Sequence, residues 1–468
     1  MKIVKAFAIA DTRRIPPFND MPCDLLVMNR KLSCLQQSVL SEFGIPVKRI
    51  TREELQEGLS GQNPEQWVLI FRENIFFTRQ TIELFLEKTA NFLKAIKRKS
   101  PSHEQFASDS ISAEGSFSKE PGTFRVCVEK SLFTAQLAIL QEAEEQGGVL
   151  AYDFFLTRAG SFNPDRARKI IMNLDQYLEE GNFPPHMLGK ESFRFSVTTR
   201  PLMAVSESVH IGLVNMAANF ARIASFRRPG LCSGFKALLA AISSLSLQRA
   251  RIKARVLASL STIHSTAEVH PTAVIEGSVI GAGAKIGAYA VVRFSVVGKK
   301  AFIDDHAGIK FSIIGDNSYV ANNNVIFFST LYPGAFLISG PYQFSCFGYN
   351  TAVMNSIPSD YRLDNETIRV MTSSGVRDTG LRFAGSIIGH ETRIAAGLII
   401  APGRSVPGGL TLYPDPARVL TKIDVTSDHE RASETFTETY NTEASGKSAS
   451  RPFFLVDGKL TSNSVRKV

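Results

Sequence analysis

Between residues 263 and 326, aliphatic side chains recur at Ile263, Val269, Ile275, Ile280, Ile286, Val292, Val297, Ile303, Ile309, Ile314, Val320 and Ile326, in steps of six, six and five. One full turn of the pattern is therefore 17 residues. A small residue lies four positions after many of them, at Ala267, Ala273, Ala284, Ala290, Ala301, Ala307 and Ser318, and the five-residue step reads SVIG, SVVG and SIIG at equivalent places. No helical period fits this spacing. A triangular coil does: each of three short sides sends one aliphatic side chain into a narrow interior, and a small residue fits beside it at the corner. A single coil cannot bury its apolar side alone, so such coils must stack. The pattern predicts a left-handed parallel β-helix over residues 263–412. The spacing resumes at Ile388, Ile394, Ile400 and Val406, and residues 327–387 are expected to be an irregular insert, either as distorted coils or as a loop that leaves and returns.

The first 200 residues follow a different grammar. Strand-like runs at Ile3–Ala10, Leu25–Met28 and Trp67–Phe71 alternate with helical periodicity at Leu32–Phe43 and Phe77–Ile96. In the second of these helices Ile82, Leu84, Phe85, Phe92 and Leu93 can share a face, and Gly44 stands where a C′ glycine ends the first. This alternation predicts an α/β domain with a largely parallel sheet. Residues 97–122 turn to serine, glutamate, lysine and glycine and read as a surface excursion. A charged helix is expected over 165–180, ended by Gly181.

Residues 201–262 read as a helical arm: an apolar helix over 211–226, then a second over 233–260 carrying Arg249, Arg251, Lys253 and Arg255. Two uses are open for it, a linker packed against both domains or an amphipathic segment making weak contact with acidic lipid surfaces. Residues 425–468 are polar and read as a disordered tail. Within the tail the apolar run 452–456 has no assigned docking place.

The chain of 468 residues carries a formal charge of +9, which favours anionic partners such as nucleotides, coenzyme A or phosphorylated sugars. Cys23, Cys34, Cys127, Cys232 and Cys346 are scattered, with no metal-like spacing, which suits a reducing compartment. With no 18-residue apolar run and no signal-peptide core, a cytoplasmic location is expected, and no nucleic-acid partner.

The repeat resembles that of the hexapeptide acyltransferase superfamily. The whole layout is similar to that of the bifunctional uridyltransferase/acetyltransferase of N-acetylglucosamine metabolism and of sugar nucleotidyltransferases fused to β-helices. The resemblance implies a three-layer, nucleotidyltransferase-like α/β domain ahead of the β-helix, a homotrimer, and nucleotide sugars or phosphorylated sugars as partners. It also implies an acyl-coenzyme A or acyl-carrier thioester as donor and Mg²⁺ at the nucleotide site.

At the N-terminus the family's glycine-rich loop is replaced by Asp11-Thr12-Arg13-Arg14. Thr12 and Arg13 match the end of the family motif, Cys23 stands near the place of its lysine, and Lys31 falls where a lysine often precedes a proline. The resemblance thus marks Thr12, Arg13, Arg14 and Lys31 for nucleotide or phosphate, and Glu73 for the metal. Without the glycines that let backbone amides reach a triphosphate, this domain reads as degenerate.

On the β-helix, families of this class use a coil histidine as general base. His306 is the candidate, with His264, His270 and His390 as competitors and a solvated outer corner as the plain alternative. Asn322, Asn323 and Asn324 fall where a groove would be lined, or serve as corner residues that tolerate the left-handed turn. The resulting expectation is acyl transfer to a sugar-type acceptor, with the N-terminal domain binding only. The rivals are a non-catalytic scaffold and an active nucleotidyltransferase with an altered phosphate site.

Overall fold

The computed structural model describes residues 2–99, 122–181, 193–227, 249–364 and 366–415, together with Leu239, Phe454–Val456 and Lys459–Thr461. Most of the excursion expected over 97–122, most of the second arm helix and most of the tail lie outside them.

The N-terminal domain is a sheet ordered Arg168–Met172, Thr123–Glu129, Val149–Arg158, Trp67–Arg72, Ile3–Ile9 and Val47–Ile50, with a short strand at Glu144–Gln146 beside Val149–Arg158. Only Val149–Arg158 runs antiparallel to its path neighbours; the other pairs on the path are parallel. Alternation along the strands splits the core into two layers. Phe7, Ile9, Val68, Ile70 and Phe155 pack with Leu55 and Leu59 on one face. Ala6, Ala8, Leu69, Phe71 and Phe154 pack with Ile82 and Phe85 on the other. The domain is three-layered, as expected.

The helix expected over 165–180 is absent. Arg168–Met172 is an edge strand whose buried Ile170 and Met172 alternate with exposed Lys169 and Ile171. Tyr177–Gly181 pairs antiparallel with Phe193–Val197. A period of two had been hidden by the charged residues of the exposed face.

The solenoid begins at Thr262–Ile263 and reaches Thr411–Leu412 in three parallel sheets. The interior holds the aliphatic column, with Ile286, Val292, Ile303, Ile309 and Val320 nearly inaccessible. A second internal order runs beside it. The hydroxyls of Ser278, Ser295, Ser312 and Ser329 each accept the backbone N–H of the serine in the next coil, at 3.1 Å.

The insert is narrower than expected. Coils continue through Thr330–Leu331, Phe336–Ile338, Pro341–Gln343, Cys346–Phe347, Ala352–Met354 and Ile357–Pro358. What leaves the solenoid is residues 359–386, which include the hairpin Arg369–Thr372/Gly375–Asp378. Of the tail, Phe454–Val456 and Lys459–Thr461 add two antiparallel strands to the edge at Thr411–Leu412, covering what would be an open template for pairing.

The helix Ser208–Ser225 joins the two halves. It is buried almost throughout, as a linker packed on both sides requires. Gly212 is needed there, since a Cβ would sit 2.8 Å from Cys346 Sγ. A polar stripe one helical turn apart reads the solenoid corners: Asn219 donates to Phe294 O at 2.8 Å and Arg222 to Gly277 O at 2.7 Å. The first sheet of the solenoid thus faces the N-terminal domain, with Tyr332, Cys346 and Ile387 inside that domain's core.

One corner of the solenoid carries Phe294, Phe311, Phe328 and Phe344, all with φ near +50°. Their rings stack in sequence at 5.3, 4.9 and 5.0 Å between centroids. Phenylalanine in the left-handed region is disfavoured. Ring stacking and contact with Phe220 of the helix offset that cost.

Candidate functional site

In an open α/β sheet, ligands bind outside the carboxyl ends of the strands where the strand order reverses. Here that point lies between Ile3–Ile9 and Trp67–Arg72, because the chain steps out to Val47–Ile50 before returning to the other side. Asp11, Arg13, Arg72 and Glu73 follow these strand ends, and Arg49 comes from the third. Glu142 arrives from a distant loop.

These six residues neutralise one another. Arg13 Nε donates to Asp11 Oδ1 at 2.9 Å, and its other end pairs with Glu142 at 2.7 Å. Arg72 pairs with Glu142 at 3.0 Å and with Asp11 at 3.4 Å. Glu73, buried, pairs with Arg49 at 2.8 Å and accepts the Asp11 N–H at 3.2 Å. Burial pushes the Asp11 carboxyl up, but the hydrogen bonds and charge of Arg13 outweigh it and hold it below the usual range. Glu142 is governed the same way, burial raising it and Arg13 and Arg72 bringing it down further.

This arrangement corrects the assignment of Glu73 to a metal. A hard cation needs carboxylate oxygens free of competing cations, and both buried carboxylates are already held by guanidinium groups. No group of three or more His, Cys, Asp or Glu side chains able to hold a metal ion occurs among the described residues. Mg²⁺ does not fit this network.

The four phosphate candidates are not drawn into one cradle. Arg13 belongs to the network, while Arg14 donates to Asn19 O at 2.8 Å and Lys31 pairs with Asp24 at 2.8 Å. Thr12 is exposed. Sequence reasoning missed Arg49 and Glu142, because neither lies near the motif in the chain. It also missed Asn74, buried beside Glu73 in sequence with neither side-chain polar atom hydrogen-bonded. Such an orphan fits a bound water or a ligand's polar group.

His306 occupies a left-handed corner of the solenoid, at φ +60°. It is exposed, and its ring stacks on Tyr289 one coil earlier at 5.1 Å and 17°. Neither neighbouring carboxylate orients it: Asp304 accepts the Tyr319 hydroxyl at 2.8 Å, and Asp305 accepts the Ala288 N–H at 2.6 Å. Asn323 continues the same corner at φ +57°. Asn324 does not line a groove; it is buried, donating to Ala321 O and Leu337 O and accepting from Gly340 N–H. Asn322 is exposed.

This corner joins the two solenoid faces that the N-terminal domain leaves uncovered. One bears half-exposed Phe302, Tyr319 and Phe336 in a column, with centroids 5.2 and 5.1 Å apart. The other carries the outward column Val274, Val291, Gly308, Val325, Pro341 and Ile357, apolar or small throughout.

The competing histidines have other duties. His390 lies between the two halves of the molecule, pairing with Asp20 at 3.0 Å and accepting the Tyr349 N–H at 2.9 Å. Its ring packs 4.4 Å from Phe18. His264 and His270 are exposed on the first coil, each bonded to a threonine two residues on.

A family model described as the GMPPB C-terminal domain matches residues 258–333. A search of the curated proteins finds no match. Among solved structures, the chain is similar to a hexapeptide transferase family protein from Anaplasma phagocytophilum, at 20% identity over 39% of this chain and 89% of that one, with a TM-score of 0.22. It is similar to GDP-perosamine N-acetyl transferase from Caulobacter crescentus, in a variant bound to CoA and GDP-perosamine, at 18% identity over 33% and 54%, with a TM-score of 0.17. It is also similar to the acetyltransferase domain of PglB from Neisseria gonorrhoeae, at 21% identity over 33% and 55%, with a TM-score of 0.14. The family match falls on the coils around His306, and the resemblance to sugar nucleotidyltransferase-like chains with a hexapeptide-repeat domain holds there.

Proposed function

We propose that the chain is a sugar-related transferase whose chemistry lies on the solenoid: acyl transfer from a thioester, such as acyl-coenzyme A, to the hydroxyl or amine of a sugar-type acceptor. The N-terminal domain binds and positions without transferring nucleotides. One contrast carries this reading. The charged groups at the N-terminal crevice pair with one another, whereas the His306 ring nitrogens have no hydrogen-bond partner among the described residues and face the uncovered corner.

In the reaction, neutral His306 takes the proton from the acceptor as its oxygen or nitrogen attacks the thioester carbonyl. A C–O or C–N bond forms, the C–S bond breaks, and the departing thiolate receives the proton from the imidazolium. Tyr289 holds the imidazole plane by stacking. The apolar outward column beside it suits a second copy of the solenoid, so that a homotrimer would enclose His306 and the exposed Asn322 and Asn323 in a groove. A nucleotide sugar is the acceptor class this reading favours, and Asn74 in the N-terminal crevice supports a residual binding role there.

A non-catalytic scaffold is the second reading, favoured by the lack of a carboxylate that orients His306. Thermal shifts with acyl-coenzyme A, UDP-sugars and nucleoside triphosphates separate the two, since a ligand selective for the native state raises its stability. With a substrate in hand, His306→Ala should lower turnover by about a hundredfold or more at unchanged melting temperature. Unchanged turnover removes His306 from the mechanism, and a panel without any shift supports the scaffold.

A further inference from the structure

Where the N-terminal domain, the joining helix and the solenoid meet, they leave a cavity of about 390 Å³. Its wall is built from two sets of rings. Phe195 and Phe220 stack at 5.5 Å on one side, and Phe328, Phe344 and Phe383 form a continuous stack, at 5.0 and 5.7 Å, on the other. Leu213 and Met216 of the joining helix and Leu381 of the 359–386 excursion add to the apolar lining.

Protein interiors are packed with few voids larger than a water molecule, and rings facing empty space forgo dispersion contacts. A recess of this volume, open to solvent on one side, lies within the roughly 300–1,000 Å³ range of small-molecule sites. The rings that wall it are also placed at a cost, because Phe328 and Phe344 occupy left-handed corners where Gly277 stands at the equivalent position of an earlier coil.

The polar lining defines what fits. Gln136 is already used, donating to Arg194 O and accepting the Ser196 N–H at 3.2 Å. The buried wall therefore offers an occupant little to hydrogen-bond. Arg194 and Arg382 are among the lining residues, and no aspartate or glutamate is. The Arg194 side chain is 58% exposed and pairs with Glu180 at 3.1 Å, so it marks the mouth.

From this geometry we infer that the cavity binds an acyl chain that ends in an anionic head, a carboxylate or a carrier's phosphate, with the alkyl chain between the two ring sets and the head at Arg194 and Arg382. The inference stands apart from acyl transfer at His306, which lies on a different corner of the solenoid. The same chain chemistry has two sources, a free fatty acid and an acyl chain carried as a thioester on a phosphate-bearing carrier.

The test is calorimetric titration of the full chain with octanoate, decanoate and dodecanoate below their micellar concentrations, with dodecyltrimethylammonium and dodecanoyl-coenzyme A as comparison ligands. One site per chain is expected, tightening by about fourfold per methylene until the cavity is full. The ammonium analogue should bind at least tenfold more weakly. Tighter binding of dodecanoate than of the thioester assigns the site to free acids, and the reverse assigns it to carrier-borne chains. Met216→Trp, which fills the space, should abolish binding while the melting temperature is kept; should that variant not fold, Leu213→Phe serves in its place. Three results overturn the proposal: no saturable site for any anionic ligand, equal binding of the ammonium analogue, or undiminished binding by a folded cavity-filling variant.

Discussion

The seam between the two halves turns on the backbone of Leu26. Tyr332, buried in the solenoid wall, accepts the Leu26 N–H at 2.8 Å and donates to Leu26 O at 3.2 Å. Asn215 of the joining helix donates to the same carbonyl at 2.9 Å and accepts the Met28 N–H at 2.8 Å. Tyr332→Phe leaves the Leu26 N–H without a partner but not the carbonyl, which Asn215 still satisfies. A buried orphan donor costs about 1–3 kcal/mol, so about 2 kcal/mol is expected. Asn215→Ala orphans the Met28 N–H and leaves the Leu26 carbonyl to Tyr332, costing roughly 2–3 kcal/mol. In the double variant the carbonyl loses both donors. Its cost should therefore exceed the sum of the singles by about 1–2 kcal/mol. Hydrogen exchange of residues 25–28, read by mass spectrometry, is the assay, because a chain of several units is poorly served by one global unfolding transition. Tyr332→Phe should speed exchange there by about 30-fold, at tenfold per 1.4 kcal/mol. Strict additivity in the double variant, or unchanged exchange in Tyr332→Phe, would refute the shared-acceptor argument.

Three further outcomes follow from the same structure. With nucleoside triphosphate, sugar 1-phosphate and Mg²⁺, no pyrophosphate release is expected; robust turnover that Glu73→Gln or Arg13→Ala abolishes would show that the ion network opens. Light scattering at micromolar concentration should give about three times 51.4 kDa, and Val325→Glu on the apolar outward column should reduce it to one chain; a wild-type monomer would remove the homotrimer. Burial raises the Asp360 carboxyl to about 6, so the folded state retains a proton that the unfolded state has lost. Stability then falls as pH rises from about 4 to above 6, and Asp360→Asn should recover roughly 1–2 kcal/mol at pH 8 but nothing at pH 3. Equal melting temperatures at pH 8 would contradict this.

The coils over 263–326 could be read directly because each interior position carries an aliphatic residue at a fixed count. The next coils were hidden for two physical reasons. Inward positions at Leu337, Tyr342 and Phe347 are five residues apart, which shortens one coil to 16 residues. Tyr342 and Phe347 then fill the interior with rings 5.4 Å apart, where an aliphatic pattern was sought. At the N-terminus, the lack of glycines after Ile3–Ala10 was legible, but the ion network that stands there was not. The partners of Arg13 and Glu73 are Glu142 and Arg49, placed by the sheet and not by any local spacing. His306 was legible as a coil corner, while its stacking on Tyr289 needed the 17-residue register to be read across coils.

The serine ladder inside the solenoid has a consequence for how such a chain can change. Across the 359–386 excursion, the Ser345 hydroxyl accepts the Ser386 N–H at 3.2 Å, the same rung at a separation of 41 residues where the others span 17 or 16. The stack is thus indifferent to how much chain passes between two rungs, and closing a longer detour costs only about 0.6 kcal/mol per doubling. Residues 359–386 are a splice point: a different segment could be inserted there without moving a coil. Since Gly380, Leu381, Arg382 and Phe383 line the 390 Å³ cavity, one exchange at that point would rewrite the ligand while leaving the scaffold's inheritance intact.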